Sequence, residues 1–393
     1  MTKPKVLFVD DEPRILDGLR RSLRGKRSDW EMSFAPGGEP ALEMLAGTSY
    51  DVVVSDMRMP GIDGAELLTR VSTQYPQVAR VVLSGHTEPE AAIRVAIAGH
   101  RFLTKPTETE TLTGVVDQLI VKTSRAHGNQ ARRIAGAARA LPTLPAQVAE
   151  VDAALSAQED AGRLARAVAL DTALTAKLLQ LSNSAFFGAR PKNAGIAAVV
   201  TAMGLPTIQA LVAAAGEEWV STTWEPEVEA YLRMSWRHSV ATACLAETVA
   251  SPAHRPYAHA AALLQDVGAL TALAGVAGGV HSVDLTKREC AGVPFQEVGV
   301  ELMHLWGLPA PVVTAIAERD TPHEPAEAGL GVSGALRVAH LLIQGTDARE
   351  LPDEASEEEL KALLAHPQMA ARSADWAAEA RLASERASEW LAA

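Results

Sequence analysis

Along the first 120 positions, short apolar runs alternate with stripes at helical spacing. Val6 to Val9, Glu31 to Phe34, Val52 to Val54, Val81 to Leu83 and Phe102 to Leu103 read as strands, and the continuous β-branched residues of Val52 to Val54 predict burial on both faces. Between them, Pro13 to Leu23 sets Ile15, Leu16, Leu19 and Leu23 on one face, with Pro13 suited to a first helical turn. Further helices are expected at Pro40 to Ala46, Gly64 to Gln74, Pro89 to Gly99 and Glu108 to Thr123. Five βα units in succession predict a doubly wound, five-stranded parallel sheet.

After this series the texture changes. Ala126 to Arg139 is Ala-rich and, with Lys122 and Arg125, carries five cations (Arg132, Arg133 and Arg139 complete them) and no acid. Aromatic stacking groups and a second basic element are missing, which favours a solvated linker helix over a nucleic-acid or membrane contact. From Leu141 onward no strand-like run occurs and an all-α bundle is expected. Its helices are placed at Ala146 to Leu155, Gly162 to Leu170, Ala173 to Ser182 behind an Asp171 N-cap, Ile196 to Met203, Ile208 to Trp219 and Glu227 to Ala250. Ala258 to Leu264, Gly268 to Leu273, Phe295 to Leu305 and Ala310 to Ala317 complete the series. In the tail, Glu357, Glu358 and Glu359 suit a helix start, and Leu360, Leu363, Leu364, Trp376, Leu382 and Trp390 form stripes expected to pack back on the bundle. The expected division is 1–122, a basic linker 123–140, a helical domain 141–345 and an acidic helical tail 346–393.

Composition narrows the function classes. With 393 residues, 48% of them hydrophobic, the chain has apolar surface for two or three cores. A net charge of −12 argues against a polyanion-binding protein, since phosphate contacts need clustered Lys and Arg. Cys244 and Cys290 give neither a disulfide framework nor zinc spacing, which fits a reducing cytoplasm. No apolar run approaches the ~18 residues of a membrane span. The expectation is a cytoplasmic protein with no membrane contact.

The chemistry concentrates at the strand ends. Asp10, Asp11, Asp56, Ser84 and Lys105 each follow or end an apolar run, where parallel α/β sheets gather their ligands. A single acid there would be read as a helix cap, but five suitable groups should converge. Carboxylates crowded in one crevice repel one another unless a hard cation joins them, and an oxygen-only set suits magnesium. One carboxylate can then act as nucleophile, with a hydroxyl and an ammonium holding the oxygens of a transferred phosphoryl group. These motifs, Val9-Asp-Asp-Glu-Pro, Ser55-Asp-Met-Arg-Met-Pro-Gly and Phe102-Leu-Thr-Lys-Pro, resemble those of the receiver domain of two-component response regulators, over residues 1 to about 122. The resemblance implies that Asp56 is the phosphoacceptor, that Asp10, Asp11, Asp56 and the backbone carbonyl of Arg58 bind Mg2+, and that Lys105 binds phosphate. It also makes Ser84 and Phe102 the switch residues, Ser84 moving toward the phosphoryl group and Phe102 turning inward.

The helical half resembles the HDOD domain, a relative of the HD phosphohydrolases. The motifs are Leu141-Pro-Thr-Leu-Pro, Asn183-Ser-Ala-Phe-Phe-Gly, Trp236-Arg-His-Ser, Leu263-Leu-Gln-Asp-Val-Gly and Leu305-Trp-Gly-Leu-Pro. At the HD metal positions His238 and Asp266 match, whereas Gln265 replaces histidine, and Gln296, Arg319 and Asp320 stand where related sequences often carry histidine. A neutral amide is a poor ligand for transition metals, and Arg319 would bring a permanent cation. A non-catalytic HDOD domain is therefore expected, as signalling output or protein-interaction scaffold, with a metal-dependent phosphodiesterase acting on cyclic di-GMP as the alternative. Its working groove is expected between Asn183 to Gly188 and Trp236 to Cys244. The implied partners are a sensor histidine kinase or phosphotransfer protein, a downstream protein of unknown identity, and a second copy in a phosphorylation-dependent homodimer, the Pro89 to Gly99, Phe102 and Glu108 to Thr123 elements being expected either to form that dimer face or to release the second domain.

Overall fold

The computed structural model describes residues 3–85, 99–120, 127–156, 161–183, 196–219, 224–277, 282–321, 330–346, 354–365 and 367–392. Most of the expected Pro89 to Gly99 helix, Lys122, Arg125 and the Ser184 to Gly188 part of the Asn183 motif lie outside these residues.

The N-terminal part is an α/β domain. Strands β1 (Lys5–Val9), β2 (Glu31–Ala35), β3 (Val52–Asp56), β4 (Ala79–Ser84) and β5 (Arg101–Thr104) form one parallel sheet in the order β2-β1-β3-β4-β5. Helices α1 (Pro13–Ser22), α2 (Gly38–Gly47) and α3 (Gly64–Gln74) are its described crossovers, and α4 (Thr109–Ile120) follows the last strand. The central strands are apolar on both faces because helices cover both sides; Val6, Leu7, Val52, Val53, Val81 and Val82 are wholly buried. The register pairs Val9 with Ser55, Asp56 with Leu83 and Ser84 with Thr104, which brings the carboxyl ends of β1, β3, β4 and β5 to one rim.

A linker helix, α5 (Gly128–Ala137), joins the two halves, and it is not solvated as expected. Ala131, Ile134 and Ala135 are buried. Arg132 donates to the Gln77 carbonyl at 3.0 Å and lies 3.4 Å from the buried Glu301, and Arg139 donates to Thr73 Oγ1 at 2.6 Å. Arg80 of β4 donates in turn to the Gly136 carbonyl at 3.0 Å. Of the cations that looked like a solvated face, Arg132 and Arg139 are interdomain contacts, a use that composition does not reveal, while Arg133 is exposed.

The C-terminal part is helical: α6 (Pro145–Ser156), α7 (Ala161–Ala169), α8 (Thr172–Ser182), α9 (Ile196–Met203), α10 (Leu205–Trp219), α11 (Pro226–Val249), α12 (Arg255–Leu263) and α13 (Val267–Ala277). As expected, Asp171 caps α8, accepting from Leu174 N at 2.6 Å. Two departures follow. Strands β6 (Val283–Asp284), β7 (Glu289–Cys290) and β8 (Val293–Pro294) form a small antiparallel sheet where no strand was expected. Two-residue strands carry no readable alternation, and turn geometry makes this sheet: Lys287 N donates to Asp284 Oδ1, and Arg288 and Ala291 have φ of 57° and 49°. Beyond α14 (Phe295–Trp306) and α15 (Ala310–Ala317), the unanticipated α16 (Val332–Gln344) is buried around most of its circumference.

The tail forms α17 (Glu354–Ala365) and α18 (Pro367–Ala392), and α18 packs on α11 and α16. Its buried face is Trp376, Ala380, Ala383 and Ala387, while Leu382 and Trp390 of the expected stripe are exposed. Small side chains let this helix approach its neighbours closely.

Candidate functional site

At the rim of the parallel sheet, Lys105 Nζ lies 2.8 Å from Asp10 Oδ2 and 2.6 Å from Asp56 Oδ1. The second Asp56 oxygen accepts from the Arg58 backbone N–H at 3.2 Å, which holds the Arg58 backbone against the carboxylate. Asp10 is buried, and its other oxygen accepts from Glu12 N at 2.9 Å. Burial works to lower the Lys105 pKa, but hydrogen bonds to Asp10 and Asp56 outweigh it, so the ammonium stays charged. Asp11 is half-buried beside Asp10, and Ser84 is buried at the end of β4, its carbonyl accepting from Lys105 N at 2.8 Å. Each of the five expected groups is at this rim.

Two details differ from the expectation. Phe102 is already turned inward and only 3% exposed, so no outward ring is present to swing in. No three His, Cys, Asp or Glu side chains among the described residues are gathered as a ready-made metal cage. The donors brought together are Asp10 and Asp56, with the ammonium between them. This hard-oxygen set fits Mg2+, which binds through one or two carboxylates and keeps several waters.

A second cluster lies in the helical domain. His238 Nε2 and His340 Nδ1 are 3.0 Å apart, and His340 Nδ1 is 2.9 Å from Gln265 Oε1. An amide oxygen only accepts, so His340 Nδ1 carries the proton and His238 Nε2 faces it as an acceptor. Burial, with Arg319 and Arg288 nearby, pushes His238 down to about 4 despite the opposing pull of Asp266; burial likewise holds His340 well below the usual histidine range. Asp266 Oδ1 accepts from Arg288 Nη2 at 2.6 Å and from Arg319 Nη1 at 3.3 Å, and Oδ2 accepts from Ser235 Oγ at 3.2 Å. Burial alone would raise the Asp266 pKa; the two guanidiniums bring it below the ordinary value.

His340 and Arg288 escaped the sequence reading. His340 lies in an apolar helix with no motif around it, and Arg288 sits in a turn with a left-handed backbone. Gln296 is elsewhere: its side-chain amide donates to the Ile316 carbonyl at 2.8 Å, at the end of α15. Arg319 does bring its cation to Asp266, while Asp320 pairs with Arg319 Nε at 3.3 Å. Of the expected groove, Trp236 is a core residue whose Nε1 donates to the Leu170 carbonyl at 2.7 Å, and Phe186 and Phe187 lie outside the described residues. The crevice that reaches His238, about 410 Å³, opens instead between α11, α16 and α18, beside Arg237, Thr346 and Glu385.

Comparison with known proteins follows the same division. Residues 6–117 match the response regulator receiver domain and residues 141–322 the HDOD domain. Over 120 residues the chain is 32% identical to the transcriptional regulatory protein FixJ of Bradyrhizobium diazoefficiens, covering 30% of this chain and 58% of that one. It is 34% identical over 117 residues to the hydrogenase transcriptional regulatory protein HoxA of Cupriavidus necator, covering 29% of this chain and 24% of that one. The chain thus spans less than two thirds of the length of these relatives. Among solved structures, the signal receiver domain of an HD domain-containing protein from Pseudomonas fluorescens Pf-5 is 30% identical, covering 30% of this chain and 95% of that one, with a TM-score of 0.29. The chain thus carries a response regulator receiver domain at residues 6–117 and an HDOD domain at residues 141–322.

Proposed function

We propose that the protein is a phosphorylation-gated switch in a phosphorelay: Asp56 accepts a phosphoryl group, and a non-catalytic HDOD domain is the signalling output or interaction scaffold. The observation that carries the receiver half is the Lys105 ammonium bridging Asp10 and Asp56. Asp56 Oδ1 is the nucleophile, Lys105 and Ser84 receive the phosphoryl oxygens, and the donor is a sensor histidine kinase or phosphotransfer protein. Asp10, Asp11, Asp56 and the Arg58 carbonyl would hold Mg2+, whose bound charge offsets that of the phosphoryl group and carboxylates. No described helix is long and apolar enough to cross a membrane, and we assign the protein to the cytoplasm. Divisions at 122, 140 and 345 follow from the same reading.

The HDOD half rests on which groups are already committed. His238 Nε2 faces the His340 N–H, and both Asp266 oxygens are engaged, one of them by two guanidiniums. Those cations stand where a metal ion would need the carboxylate, and the Arg319–Asp266 pair is nearly buried on both sides.

Acetyl phosphate with Mg2+ should add one phosphoryl mass to the wild type and none to Asp56→Ala, read by intact-mass spectrometry. Labelling of Asp56→Ala, or no labelling of wild type under conditions that label a control receiver, rejects the receiver assignment. Purified protein should hold no stoichiometric iron or manganese and should leave cyclic di-GMP intact; tight metal with turnover would put the phosphodiesterase in place of the scaffold.

A further inference from the structure

The receiver's β5 is the edge strand of its sheet, paired only with β4, and its beginning is gripped by the HDOD domain from two directions. Arg101 donates from Nε to the Leu305 carbonyl at 3.0 Å and from Nη2 to the His304 carbonyl at 2.8 Å. These carbonyls belong to the last turn of α14, where partial negative charge favours a cation, and His304 O also accepts from Gly307 N at 3.3 Å. From α8, Gln180 Nε2 donates to the carbonyls of Gly99 and His100 at 3.1 Å each, the two residues that lead into the strand. The grips are joined: Lys177 Nζ donates to Gln180 Oε1 at 2.8 Å and lies 4.6 Å from the centre of the Trp306 ring, next to Leu305. His100, Lys177, Gln180 and Trp306 are all buried.

Lys105 follows the same strand, only four residues beyond Arg101 and so about 13 Å along it. Its backbone N–H bonds Ser84 O, and its ammonium bridges Asp10 and Asp56. We propose that Gln180 and Arg101 are positioning residues of the phosphorylation site, through which the HDOD domain holds β5 and so sets the reactivity of Asp56. This rests on Asp56 as phosphoacceptor. Phosphorylation requires Lys105 to leave the Asp56 oxygen and follow the phosphoryl oxygens, and a strand clamped at its start resists that shift. Loosening the clamp speeds phosphorylation, and by thermodynamic reciprocity phosphorylation loosens the clamp.

The test compares full-length wild type with Gln180→Ala, Arg101→Ala, Arg101→Lys and Gly307→Ala. Gly307 ends α14 with φ of 74°, and a Cβ there would fall 1.6 Å from Arg101 Nη1, so alanine pushes the guanidinium away without altering the receiver. None of these changes touches Asp56. Acetyl phosphate labelling of Gln180→Ala, Arg101→Ala and Gly307→Ala should be at least about fivefold faster than wild type, the lower end of usual couplings, with Arg101→Lys in between. Amides of Leu305 to Leu308 should exchange faster in the same three variants, and in the wild type once phosphorylated. Labelling rates within twofold of wild type in variants with faster exchange overturn the coupling alone, as does exchange that phosphorylation does not alter. A wild type that takes no label overturns the Asp56 reading and this inference with it. Should Gln180→Ala not fold, Gly307→Ala and Arg101→Lys carry the comparison.

Discussion

The most informative single residue outside the phosphorylation rim is His238. Its pKa is pushed down to about 4, chiefly by burial, so the folded protein keeps it neutral where an unfolded histidine takes up a proton. The folded state therefore binds fewer protons between pH 6.5 and 4, and stability is fully present above 6.5 and lost as the pH falls through that window. At roughly 1.4 kcal/mol per pH unit, His238 alone removes about 2 kcal/mol by pH 5, and His340 works in the same direction. Urea midpoints measured from pH 7.5 to 5 should fall steeply for wild type and less steeply for His238→Gln, which has no proton to gain. Parallel slopes in the two proteins would show that the histidine is not held neutral.

Among the elements, the linker helix α5 is the one whose role changed most. Its position depends on Gly136, where a Cβ would fall 1.9 Å from the Pro76 carbonyl oxygen, and the Gly136 carbonyl receives the buried Arg80 guanidinium. Backbone on one side of this approach meets backbone on the other, so no flexible side chain can give way. Gly136→Ala should cost about 1–3 kcal/mol, the usual range for overpacking, even though alanine is the better helix former. Thermal denaturation checks it: an unchanged or raised midpoint would mean that α5 does not dock as described. Alanine at Gly18, with nothing within 4 Å, is the matched control.

At the scale of the whole molecule, the HDOD domain lies against the receiver edge that was expected to form a homodimer. Arg101 and the carbonyls of Gly99 and His100 are engaged within the chain by α14 and α8. A second copy could use that edge only after the HDOD domain leaves it. Under the proposed function, a phosphorylation-dependent homodimer on that edge would therefore require release of the HDOD domain first.

The sequence by itself determined the parallel sheet, because strands buried on both faces must be apolar and β-branched throughout, and Val52 to Val54 is. It also determined the rim of Asp10, Asp11, Asp56, Ser84 and Lys105, since each group stands at the end of a legible strand. Most of the helical half was legible, the fully buried α8 included, while α16 was not. Only the tertiary structure decided what a lone cation or imidazole does. Arg132 looked solvated and is an interdomain contact; His340 and Arg288, which no motif marked, are the partner of His238 and a cation on Asp266. Such assignments depend on which distant segments meet, Arg101 and His304 being 203 residues apart. Local periodicity carries no term for that distance.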